Sequence, residues 1–105
     1  MNVTTAIALL QAARGLIDRI EEDFICWALD DALARIDGPD LLSTHDHLKT
    51  HILNQLDGWG FLQSWVNSQS YRGDRWYSHY GLHRLCRLAW IDAMIRDLKA
   101  TGELP

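Results

Sequence analysis

Two prolines and seven glycines in 105 residues leave few breaks in the chain, and no window alternates apolar and polar residues as a half-buried strand would. No apolar run approaches the roughly 20 residues that span a bilayer, and no basic stretch followed by an apolar one marks a leader at the start. The two cysteines, Cys26 and Cys86, lie far apart and fit neither zinc nor redox spacing. Reduced thiols and a cytoplasmic location in a bacterial cell are therefore expected. Phosphate-cradling glycine motifs are missing, because "GWGF" lacks the lysine and the third glycine that the mechanism needs. No Gly-x-Ser-x-Gly elbow is present either. Cys26 among Phe24, Ile25 and Trp27, and Cys86 between leucines, read as buried, inert thiols.

What is there is helix. With 48% hydrophobic and 23% charged residues the composition is that of an ordinary globular domain, and 105 residues suffice for a single one spanning 1–105. Apolar residues at 3, 6, 7, 9, 10, 13, 16, 17 and 20 trace one face of a helix, with Asn2 or Thr4 as its cap. The cluster Glu21-Glu22-Asp23 suits a break and the electropositive start of a second helix. Its inner face would run from Phe24 to Ile36, before Gly38-Pro39. A third helix is expected from a cap at Ser43 or Thr44 to about Asp57, with Leu48, Ile52, Leu53 and Leu56 inward. A short helical turn would hold Phe61, Leu62, Trp65 and Val66, followed by a long loop over 67–77. The last helix should run from about Ser78 to Ala100 and close at Gly102. Its middle is apolar on more than one face, as in a helix central to a bundle or at a subunit contact. The expected fold is all-α: a compact bundle of four to five helices with a long loop before the last.

Five histidines supply the first chemical candidate. On helices, His47 and His51 stand one turn apart, as do His79 and His83, so four imidazoles from two helices would suit zinc or nickel. The competing reading is two solvated pairs that arise by chance. The dipeptide His45-Asp46 invites comparison with His-Asp phosphohydrolases, but those need a ligand histidine upstream and none precedes His45.

Charge supplies the second. The net charge is −4, yet residues 72–87 hold four arginines against one aspartate, interleaved with aromatics. Tyr71, Arg72, Arg75, Trp76, Tyr77, Tyr80 and Arg84 have the composition enriched at protein–protein hot spots. The same set could stack on bases and neutralise phosphates, but the acidic balance makes nucleic acid an unfavoured partner. Arg84 and Arg87 could instead pair with Asp30 or Asp31. The acidic first half, four basic against nine acidic residues over 1–52, would serve either as a solvated face or as a mimic of nucleic acid.

Phe24-Ile25-Cys26-x-Ala28-Leu29, Trp65-Val66 and Arg87-x-Ala89-Trp90-Ile91-Asp92-x-x-Ile95 resemble stretches of small helical proteins encoded by bacteriophages and prophages. That resemblance implies an accessory role: inhibition or redirection of a host protein, anti-defence activity included. Together the readings favour a non-enzymatic, cofactor-free protein-binding module, homodimeric through its last helix, acting on a host or phage protein. A metal-binding protein or hydrolase using His47, His51, His79 and His83 is the alternative, and nucleic-acid binding the third.

Overall fold

The computed structural model describes residues 1–17, 25–56 and 79–105, and within them all side chains except those of residues 55, 56 and 79–86. Four helices make up the described part: α1 (Val3–Ile17), α2 (Ile25–Leu33), α3 (Leu41–Leu56) and α4 (His79–Thr101). Among the described residues there is no strand. None of these helices is long and apolar enough to cross a membrane. The break expected at 21–23, the turn at 61–66 and the loop at 67–77 lie outside the described residues.

α1 is the hub and packs against each of the other three helices, while α2 also packs on α3. Its three-and-four periodicity explains this. Ala6, Leu9, Leu10, Ala13, Leu16 and Ile17 are buried, forming a stripe wide enough to meet neighbours on both sides. Ile25, Ala28, Leu29 and Ala32 of α2, Leu48 and Ile52 of α3, and Trp90, Ile91, Met94 and Leu98 of α4 complete one core. Each fully buried large side chain contributes about 1.5–3 kcal/mol before chain entropy is set against it.

The ends of the helices carry the local chemistry. Asn2 caps α1: its Oδ1 accepts from the Thr5 amide at 3.0 Å, and its carbonyl accepts from Ala6 at 2.9 Å. α4 closes at Gly102 as its sequence requires, with φ 75° and its amide donating to the Leu98 carbonyl at 3.0 Å. Two boundaries differ from expectation. α2 stops at Leu33, and the chain tightens through bonds from Ala34 to Asp31 and from Arg35 to Ala32. Such i to i−3 bonds are the usual way a last turn narrows into a connection.

α3 begins two to three residues before the expected cap. The Asp40 carbonyl takes the Thr44 amide (2.8 Å) and the Ser43 hydroxyl (3.1 Å), with Asp40 itself at φ 54°. Thr44 is thus free for a tertiary role: it is buried, and its Oγ1 accepts from the Asn2 amide at 3.1 Å. A second tie lies beside it, from Thr5 Oγ1 to the Pro39 carbonyl at 2.8 Å. There the 34–40 connection passes so close to α1 that a Cβ on Gly38 would stand 2.7 Å from Thr5 Oγ1. Glycine is a steric requirement at that position.

Candidate functional site

Three groups of side chains on α2 and α3 carry the chemistry of the described surface. The first is a polar cluster at the seam between the two helices. Asp30 of α2 accepts from His45 Nε2 at 2.9 Å and from Lys49 Nζ at 3.0 Å on each carboxylate oxygen. His45 and Lys49 are one turn apart on α3, so both reach the same carboxylate. His45 is 6% exposed, and its Nδ1 points toward Asp46 Oδ1 at 3.7 Å. Partial burial works to raise the Asp30 carboxyl, but the Lys49 ammonium and His45 outweigh it and hold it below the usual aspartate range. In return, the hydrogen bond to Asp30 lifts Lys49 above the usual lysine value.

Cys26 lies one turn before Asp30 on α2 and is buried, as its sequence context suggests. Burial pushes its thiol up; Lys49 works against that shift and Asp30 adds to it. A thiol kept protonated is a poor nucleophile, so the seam has the residue types of a nucleophilic site without an activated attacking group. Within it, one carboxylate satisfies a buried imidazole and a lysine at once.

The second group is the histidine pair. His47 is exposed and His51 partly buried, and both line two adjoining surface depressions. One, of about 410 Å³, is bordered by Ser43, Asp46, Thr50 and Asn54; the other, of about 400 Å³, by Met1, Gly102, Glu103 and Leu104. The His51 ring lies parallel to Trp90 of α4, with centroids 6.2 Å apart and planes 8° apart. Its Nε2 is sealed from solvent and has no hydrogen-bond partner among the described residues. Burial lowers its pKa from the ordinary histidine value; the main chain of Pro105 works in the opposite direction, and nearby His47 adds to the lowering. Among the described residues, no three His, Cys, Asp or Glu side chains are placed to hold a metal together.

The third group is apolar and outward. Trp27 is 48% exposed, Leu42 70% and Leu53 50%. Leu42 and Leu53 are eleven residues, about three turns, apart and so share one face of α3. Leu53, expected inward from the periodicity, faces solvent instead, because the inner arc of α3 is filled by Thr44, His45, Leu48 and Ile52. Trp27 stands one turn before Asp30 and Leu53 one turn after Lys49, so each borders the charged seam.

Of the residues singled out from the sequence, His47 and His51 are brought to one surface. His79 and His83 are placed on the first turns of α4, and Tyr80 and Arg84 lie on the same helix; their side chains lie outside the described residues. Tyr71, Arg72, Arg75, Trp76 and Tyr77 also lie outside them. Asp30 has His45 and Lys49 as partners. Sequence reasoning missed the roles of Asp30 and Lys49, whose only signal was a His/Lys pair at i, i+4 with acids on the preceding helix. Comparison of the chain with protein-family models, with curated proteins and with solved structures finds no match.

Proposed function

We propose that the protein is a non-enzymatic protein-binding module, of the kind phages use to inhibit or redirect a host protein. The observation that carries this reading is the exposure of Trp27, Leu42 and Leu53 around the Asp30–Lys49 pair on α2 and α3. Large apolar side chains bordered by charge are what protein interfaces present at their centre and rim. The arginine and aromatic segment, with Tyr71, Arg72, Arg75, Trp76, Tyr77, Tyr80 and Arg84, supplies a second set of anchors by its composition. A homodimer through α4 belongs to the same reading.

The test is affinity capture from nuclease-treated bacterial lysate, comparing wild type with Trp27→Ala, Trp76→Ala and Arg75→Ala, each checked for helical circular dichroism. A protein enriched by wild type should bind the tryptophan variants about thirtyfold more weakly, corresponding to about 2 kcal/mol for a central aromatic anchor. Equal capture by all three folded variants would sink the reading. Light scattering reports the dimer, and a monomer at working concentration would remove that part.

A second reading, metal binding through His47 and His51 with His79 and His83, draws on the depression that the first two line together. It predicts stoichiometric zinc or nickel in untagged protein and its loss in His51→Ala.

A further inference from the structure

We infer that Asp37 is a site of spontaneous backbone modification, at which the native fold itself presents the reacting groups for isoaspartate formation. Asp37 and Gly38 sit in the exposed connection between α2 and α3, and the Gly38 amide nitrogen lies 2.8 Å from Asp37 Oδ1. That contact is a hydrogen bond donated by the Gly38 amide, which keeps the Asp37 carboxyl folded back beside the nitrogen that would attack its Cγ. Reacting groups held side by side react as though at high concentration. Gly38 carries no side chain to shield the nitrogen. Nor can it acquire one cheaply, because a Cβ would stand 2.7 Å from Thr5 Oγ1. The packing of α1 on this connection therefore keeps at position 38 the unshielded glycine that makes the preceding aspartate labile.

The reaction needs no partner or oxidant. The Gly38 nitrogen bonds to Asp37 Cγ, the Cγ–OH bond of the protonated carboxyl breaks, and the amide proton leaves with that hydroxyl as water. The product is a cyclic imide. Water then adds at either imide carbonyl: at Cγ it restores aspartate, and at the former main-chain carbonyl it leaves the chain running through the side chain as isoaspartate. The second outcome adds one backbone carbon between residues 37 and 38. Immediately downstream, the Pro39 carbonyl receives Thr5 Oγ1 at 2.8 Å and Asp40 caps α3, so the modification displaces the tie between α1 and the connection that leads into α3.

Folded protein and a free peptide of residues 36–41 are incubated side by side in mildly acidic buffer, with circular dichroism confirming that the protein stays helical. Peptide mapping then follows the mass-neutral isoaspartate product and the intermediate one water lighter. The expected result is conversion at Asp37 in the folded protein at least as fast as in the peptide. It should be absent in Asp37→Glu, which would have to close a six-membered ring, and the converted protein should melt at a lower temperature. An intact Asp37 in the folded protein while the peptide converts would overturn the inference. So would conversion that appears only once the helical signal is lost.

Discussion

Replacing Asp30 by alanine tests what the seam between α2 and α3 contributes. Three hydrogen bonds end on this one carboxylate, one from His45 and two from Lys49. They are not equivalent. Lys49 is about one-third exposed and Asp30 about two-fifths, so their ion pair is solvent-screened and belongs to the class contributing about 0–1 kcal/mol. His45 is almost fully enclosed, and without Asp30 its Nε2 would be stranded, at a cost of about 1–3 kcal/mol. The expected loss for Asp30→Ala is thus about 2 kcal/mol, roughly 10 °C in melting temperature for a domain of this size. Lys49→Ala should cost less than about 1 kcal/mol. Urea unfolding of both single variants and the double variant at neutral pH separates the two contributions. A Lys49→Ala loss equal to that of Asp30→Ala would refute the argument, because the exposed pair would then dominate the enclosed imidazole. The pH dependence supplies a second readout. With its folded pKa below 3.8, Asp30 contributes stability that is fully present above that value and is lost as the pH falls through the lower folded one.

Gly38→Ala should destabilise by about 1–3 kcal/mol through overpacking against Thr5, and Thr5→Ala combined with it should cost less than the sum of the singles in a double-mutant cycle. At Asp40, φ 54° favours glycine. Asp40→Gly should raise the melting temperature slightly, by about 0.5–1 kcal/mol in stability, whereas Asp40→Val should lower it by more. His51 has a folded pKa below 6.5, so the unfolded chain takes up its proton first. Its contribution is complete above pH 6.5 and declines as the pH falls through the folded value; urea midpoints of His51→Phe should lose this decline, and an unchanged pH profile would contradict the burial argument.

Much of this architecture is legible from residue spacing, because a helix that buries one face must repeat every three to four residues. The stripe from Ala6 to Ile17 and the closure of α4 at Gly102 follow directly. The start of α3 does not. Ser43 and Thr44 look like caps, yet Thr44 is occupied by the Asn2 amide 42 residues away, and Asp40 takes over as the cap. The same limit applies to the site. The single turn between His47 and His51 is local and readable, while the burial of His45 depends on Asp30 from another helix. Leu53 shows the converse, an apolar residue whose place on the stripe was already filled by neighbours.

The central position of α1 has a consequence for the order of events during synthesis. α1 is made first, but part of its apolar surface is covered by α4, and the Arg14–Asp92 bond that joins the two spans 78 residues. At about 5–20 residues per second, a ribosome needs several seconds to supply that partner. Until then, among the described helices, α1 has α2 and α3 to pack on, and the apolar surface that α4 will cover is open to solvent and to chaperones. Closure of this long loop comes late and carries the largest entropic cost of chain closure. Destabilising changes on the α1–α4 contact should therefore lower cellular yield more than equal changes at the α2–α3 seam.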